Sequence, residues 1–382
     1  MIHKRPNYDG CFIFFGDVRY DARLQNLIHT LSARYARLAL VQVCAHDEHF
    51  QFERCNVFSA KVNPQLRGVR KFLASYLALI PKAVSIQAEF YCAEDVFSLP
   101  IAAMLSRLNR AKLFYDSREL YFAIGALSNK KAKQQLWSLI EEFFISDCTV
   151  FSTGNLDSEI LKARYKIPLP KTIYNFPRQF SVERTNFIRD LLHLSPETIL
   201  LIYQGMMGEG RGIFKMLDAL AELPEHFALV MLGDGVLLEK TRTDIQRRNL
   251  SHRAFALGAV PYDSLLKYTA SADIGLALIE PISKSYELAL PNKLFEYVLC
   301  ETPPIVSNLP AMKAVIETYD VGIATALDTA SIVESILKVA NALPQYRQNC
   351  RAARERLTWE SQSENVLSLF AYTNEELRVK SE

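Results

Sequence analysis

The chain has 382 residues, 49% of them apolar and 23% charged, with a net charge of only +2. That length holds two ordinary domains, and that composition excludes a disordered, fibrous or membrane-embedded chain. No apolar run reaches membrane-spanning length and Met1–Pro6 lacks the pattern of a secretion signal, so a cytoplasmic protein is expected. The charge is unevenly divided. Residues 1–180 carry 24 Lys and Arg against 16 Asp and Glu, a balance of +8, and residues 181–382 carry 20 against 26, a balance of −6. A basic first half suits an anionic partner such as a membrane surface or a phosphorylated lipid. Nucleic acid is not expected, because no helix-turn-helix or RNA-binding signature occurs. The seven cysteines are scattered without a Cys-x-x-Cys pair and read as reduced core residues. The histidines show no metal-ligand spacing. His46 and His49, beside Asp47 and Glu48, read as a solvated loop, and no metal is expected.

In chain order, short apolar runs alternate with helical patterns. Strands are expected at 11–15, 38–43, 83–87, 112–115, 148–152 and 172–174, then at 199–204, 228–232, 253–257, 273–278, 304–306 and 322–326. Continuous apolar strands between helices signal parallel sheets covered on both faces, so two doubly wound α/β domains are expected, with the break near 175–195. A helix is expected from Trp359 to Asn374, with a frayed end at 380–382. Arg67–Ile80, basic at one end and apolar at the other, reads as an ordinary helix packed on a sheet; a helix resting on a membrane surface is the alternative.

Ligand contacts in open α/β sheets concentrate beyond the carboxyl ends of strands, so those segments carry the candidate chemistry. Gly16-Asp17 follows the first strand, where a plain strand-to-helix turn capped by Asp17 is an equal reading. Tyr115-Asp-Ser-Arg-Glu-Leu-Tyr121 puts Asp116, Arg118 and Glu119 just after a strand. Arg118 suits a phosphate or carboxylate, or else the three close the loop as an ion network. Gly205, Gly208, Gly210 and Gly212 leave backbone N–H groups accessible around Arg211, an anion cradle with a fixed positive charge. Gly233, Gly235 and Gly258-Ala-Val260 form turns that can present backbone to a planar base. Ala289-Leu-Pro-Asn-Lys-Leu-Phe-Glu-Tyr297 reads as a loop and a helix start capped by Asn292. A helix N-terminus suits a phosphate, and Glu296, about one turn on, suits the paired hydroxyls of a ribose. A nicotinamide or flavin cofactor is not indicated, since no Gly-x-Gly-x-x-Gly occurs.

Strand-Gln-Gly followed by Arg-Gly, Leu-Gly-x-Gly, Gly-x-Val-Pro, Ala-Asp-Ile-Gly-Leu at 272–276, Leu-Pro-Asn-Lys-Leu-Phe-Glu-Tyr and Pro-x-Ile-Val-Ser occur in that order. This series resembles the donor-binding domain of glycosyltransferase family 4 over about 199–325. Gly16-Asp-Val-Arg, Tyr115-Asp-Ser-Arg-Glu-Leu and Ile173-Tyr-Asn175 are similar to its acceptor domain, more loosely. The resemblance implies the α/β GT-B architecture, two Rossmann-like domains facing a central cleft. The first, residues 1–180, would bind acceptor and the second, 190–355, donor; 356–382 would return to the first, with Trp359 at the start of the returning helix. It implies a metal-independent, retaining transfer from a UDP- or GDP-linked sugar to an acceptor hydroxyl, without a cofactor, in cell-surface polysaccharide or glycolipid synthesis. A glycan or lipid-linked acceptor and an anionic inner membrane face would be its partners.

Among the residues, Arg211, Glu287 and Arg118 would serve catalysis. Gly16, Gly205, Lys215, Gly233, Gly235, Val260, Tyr286, Asn292, Lys293, Leu294 and Glu296 would bind donor, and Asp17, Asp116 and Glu119 would lie on the acceptor side. Two departures stand out. Many members pair two glutamates with seven residues between them, whereas here Leu288 holds the first position and Glu287 sits one place earlier. Arg118 also stands where the acceptor domain commonly has a histidine. A sugar-nucleotide epimerase, a non-catalytic nucleotide-sugar-binding protein and a nicotinamide oxidoreductase are the alternatives.

Overall fold

The computed structural model describes residues 7–123, 131–180 and 183–371. Met1–Pro6, the expected end of the last helix at 372–374 and the frayed end at 380–382 lie outside the described residues. The chain divides into two compact units, Met1–Asn175 with Gln362–Glu382, and Phe176–Ser361.

The first unit holds an eight-stranded sheet. Its strands are β1 (Tyr8–Phe14), β2 (Leu38–Cys44), β3 (Glu48–Phe52), β4 (Cys55–Lys61), β5 (Ala88–Ala93), β6 (Lys112–Ser117), β7 (Thr149–Ser152) and β8 (Lys171–Thr172). They lie in the order β3-β4-β2-β1-β5-β6-β7-β8, all parallel except β3 against β4. The second unit holds β9 (Ile199–Gln204), β10 (Phe227–Leu232), β11 (Ala254–Gly258), β12 (Ile274–Ala277), β13 (Pro304–Ser307) and β14 (Ile323–Thr325). These are all parallel, in the order β11-β10-β9-β12-β13-β14. That is the dinucleotide-fold order, with its reversal between β9 and β12, where a crevice opens beyond the strand ends. Every residue of β10 is buried, as a strand covered on both faces requires.

Two local expectations fail. The strand foreseen at 83–87 is the end of a helix, Gly68–Val84, and the strand follows at Ala88–Ala93. Pro81 sits inside that helix, but its missing N–H costs only one bond in a segment already anchored by buried Ser75, Leu79 and Ala83. The foreseen loop around His46 and His49 is instead a hairpin of β3 and β4. Its turn uses Glu53 at φ +53°, His49 stacks on Phe58 at 4.6 Å, and Asp47 and Glu48 pair with Lys82 and Arg19. All seven cysteines are free thiols.

The first division, between Asn175 and Phe176, falls at the start of the foreseen break at 175–195, and the return at Gln362 comes later than the foreseen 356. The second unit begins at Phe176, whose ring packs edge-on against Phe295 at 4.7 Å. Trp359 belongs to that unit, buried, with its N–H donating to the carbonyl of Pro177 at 2.8 Å. The chain re-enters the first unit at Gln362, whose amide brackets the backbone of Tyr174, accepting at 2.9 Å and donating at 2.7 Å. The helix Ser363–Ala371 then packs on the first sheet, with Phe370 stacked on Phe114 at 4.2 Å. Among the described residues no helix is long and apolar enough to cross a membrane.

Candidate functional site

At the reversal point of the second sheet, five segments meet. β9 ends in Gln204, and Gly205 follows at φ +122°, a conformation that favours glycine. The Gln204 amide donates to the carboxylate of Glu296, and its oxygen accepts from the Thr269 hydroxyl at 2.6 Å. All three side chains are buried, so Thr269 sets the orientation of the amide, and the amide that of the carboxylate. Glu296 is thereby held on the helix Asn292–Leu299, one turn past its start.

Lys293 lies on the same helix and is also buried. Its ammonium sits 3.8 Å from the ring centre of Tyr203, and a methyl added to Gly205 would lie 3.1 Å from Nζ. Burial, then the neighbouring Arg211, pull the Lys293 pKa down to about 7 against the attraction of Glu296. The Arg211 guanidinium lies over the ring of Tyr286 at 4.9 Å, and its Nε is buried without a hydrogen-bond partner. No ion pair among the described residues involves Arg211 or Lys293. Two cations this close, with a buried donor unmet on Arg211, leave room for added negative charge.

The glycines make the approach possible. A side chain on Gly210 would strike Tyr286 at 2.8 Å, and one on Gly212 would strike the Leu278 carbonyl at 2.2 Å. Gly212 begins the helix Ile213–Glu222, and its N–H donates to the Glu280 carboxylate at 3.3 Å. Glu280 and Gln204 carry this geometry, yet sequence reasoning gave neither a role. Gln204 stands in the quoted Gln-Gly motif, but its partner lies 92 residues away, and nothing in the sequence marks Glu280.

The other second-unit candidates fall around this cluster or elsewhere. Gly233 lies against the Gly205 carbonyl, where a methyl would come within 1.8 Å, and its N–H donates to the Gly258 carbonyl at 2.8 Å. Gly235 similarly abuts the Met207 carbonyl, so both glycines lace the loops after β9, β10 and β11 together. Val260, half-buried, follows β11. Asn292 is exposed and is the first helical residue; the cap position is Pro291, which can offer no side-chain bond. This corrects the expected Asn292 cap. Leu294 is buried in the core and its N–H already donates to the Pro291 carbonyl at 3.0 Å. Lys215 lends its charge toward Asp328, whose carboxyl is held low mainly by the Ser331 backbone N–H. Glu287 pairs with Lys284 at 2.8 Å.

The first-unit candidates form a separate assembly. Arg118 donates to Asp21 at 2.6 Å, Glu94 at 2.5 Å and Asp116 at 3.1 Å, the ion network that the sequence left open. Asp116 is fully buried and also takes a two-pronged grip from Arg23. Burial pushes the Glu94 carboxyl upward against the pull of Arg118. Asp17 caps the short turn Val18–Tyr20 and pairs with Arg19 at 2.6 Å. Gly16 lies against the Phe14 ring, and Glu119 is exposed. No cluster of three metal-ligating side chains occurs among the described residues.

Residues 198–342 match the family model described as Glycosyl transferases group 1. No curated protein matches the chain. Among solved structures, sucrose-phosphate synthase from Thermosynechococcus elongatus aligns over 95% of this chain and 98% of its own, with TM-score 0.79 and 15% identity. HepE from Anabaena in complex with UDP and glucose aligns over 96% and 100%, with TM-score 0.73 and 16% identity. WaaG, a glycosyltransferase involved in lipopolysaccharide biosynthesis, aligns over 94% and 99%, with TM-score 0.70 and 13% identity. The fold is therefore that of the GT-B glycosyltransferases, in accord with the family 4 resemblance.

Proposed function

On the premise that residues 198–342 form a group 1 glycosyl transferase domain, we propose that the chain moves a sugar from a nucleoside-diphosphate sugar to an acceptor hydroxyl, with retention at the anomeric carbon. The observation that carries this is the pair Arg211 and Lys293 at the reversal point of a dinucleotide-fold sheet, beside a Glu296 held in place by Gln204. In this reading the diphosphate lies on Arg211, Lys293 and the start of the helix Asn292–Leu299. Glu296 takes the ribose hydroxyls, Tyr286 borders the phosphates, and the loops at Gly233, Gly235 and Val260 face the base. HepE is a structural neighbour seen with UDP, which makes UDP the first base to test and GDP the second.

As the anomeric bond loosens, negative charge grows on the leaving diphosphate. Preorganised cations in a water-poor site stabilise that charge most where it forms. Arg211 supplies a fixed charge, and Lys293, neutral in part when the site is empty, takes up a proton as the anion enters. The leaving phosphate accepts the acceptor proton. Neither a metal ion nor a cofactor takes part in this scheme. Arg118, engaged by three carboxylates, and Glu287, paired with Lys284, take no step in it. The basic first half supports a glycan or lipid-linked anionic acceptor at an inner membrane face, in polysaccharide or glycolipid synthesis.

The test is Arg211→Ala. Turnover is expected to fall about 100-fold or more with an unchanged melting temperature; transfer at the normal rate would remove the assignment. An epimerase would instead convert the sugar nucleotide with no acceptor present, and a non-catalytic binder would take up donor without turnover.

A further inference from the structure

Three helices connect β4 to β5, β5 to β6 and β6 to β7: Gly68–Val84, Leu99–Asn109 and Lys131–Phe144. All three crossovers step in the same direction across the first sheet. Right-handed connection therefore lays all three on one face, with their solvent sides turned the same way. Aromatic contacts tie them together, Phe72 to Trp137 at 4.9 Å and Phe97 to both.

Those solvent sides are unusually apolar. On the first helix Val69 is 75% exposed, Leu73 59% and Leu77 67%, at i, i+4 and i+8, in one narrow stripe. On the third, Leu139 is 63% and Phe143 68% exposed, with Leu136 beside them. Met104 and Leu108 do the same on the middle helix. Single exposed apolar residues are ordinary, but aligned stripes on three neighbouring helices mark a docking face.

The surrounding charge is cationic in balance. Gly68–Val84 and Leu99–Asn109 contain no Asp or Glu; Arg70 and Lys71 are exposed on the first helix and Lys133 on the third, while Lys82 and Arg107 pair with Asp47 and Asp147. On Lys131–Phe144, Glu141 is buried against Tyr115 and Tyr165, which leaves Glu142 as the exposed acid. Apolar side chains pointing one way within a cationic rim complement an anionic lipid surface, into which the side chains dip while the rim meets headgroups.

We propose that this three-helix face of the first unit docks on an anionic lipid bilayer. The proposal deepens the membrane-partner part of the reading above and is independent of donor turnover.

The test is flotation of the full-length chain with phosphatidylcholine vesicles, with and without phosphatidylglycerol. Binding is expected with the anionic vesicles and weakly with the neutral ones. Leu73→Ser with Leu77→Ser is expected to weaken it at least about tenfold, as is Arg70→Glu with Lys133→Glu, at unchanged melting temperature and unchanged UDP-glucose binding. Absence of binding to anionic vesicles, equal binding to both kinds, or variants that bind like the parent would overturn the proposal. So would a dimer that these serine variants dissociate, since a second copy would then cover the face.

Discussion

Lys293 shows how a single residue ties burial to ligand charge. An isolated amine keeps its proton to about pH 10.4, but here burial and Arg211 bring the pKa down to about 7. An entering diphosphate favours the charged form and so raises that pKa. Below about pH 6 the proton is already present; above pH 7 it must be taken up on binding. Affinity for UDP-glucose, whose phosphates do not titrate in this window, is therefore expected to fall by up to about tenfold per unit between pH 7 and 8. Isothermal calorimetry across that range checks it, with Lys293→Met expected to flatten the profile. Gly233 makes a second residue-scale case. Its φ of +145° and the Gly205 carbonyl 1.8 Å from a would-be methyl predict that Gly233→Ala costs about 1–3 kcal/mol or more in urea denaturation. Glycine density singled out Arg211, and a place one turn into a helix singled out Glu296. The clamp of Thr269 and Gln204 on Glu296 was not, because hydrogen bonds across 65 and 92 residues leave no local trace.

At the scale of elements, buried parallel strands were readable because their apolar runs are continuous, as in Phe227–Leu232. The hairpin of β3 and β4 was hidden, since edge strands half in water mix polar and apolar residues, as Glu48-His-Phe-Gln-Phe52 does. The strand at Ala88–Ala93 was misplaced for a different reason. The helix before it is itself apolar on both sides, so its last turn reads as a strand. The closing helix Ser363–Ala371 is a further case where packing decides. Phe370 is fully buried and meets Phe90, Phe114 and Phe151, while its carbonyl accepts from the Tyr35 hydroxyl at 2.7 Å. Phe370→Ala is expected to destabilise the first unit by about 3–5 kcal/mol, seen as an earlier urea transition. A first unit that unfolds unchanged would mean the helix is peripheral to it.

For the whole molecule, the first unit is discontinuous: residues 176–361 fold as a separate body between its two pieces. Composition announced two domains, but the return point depended on one glutamine side chain bracketing Tyr174. Across this architecture chemistry is divided by charge. The second half, acidic in sum, gathers Arg211 and Lys293 at one strand reversal, and the basic first half presents a cationic, apolar face. The central claim is that the reversal point receives a nucleoside diphosphate. A crystal structure of the chain grown with UDP, and another with GDP, tests it most directly. The account predicts, for at least one of them, phosphate oxygens within hydrogen-bond distance of Arg211 and Lys293 and ribose hydroxyls on Glu296. A nucleotide bound in another crevice, or a Glu296 carboxylate turned away from the sugar, would contradict it.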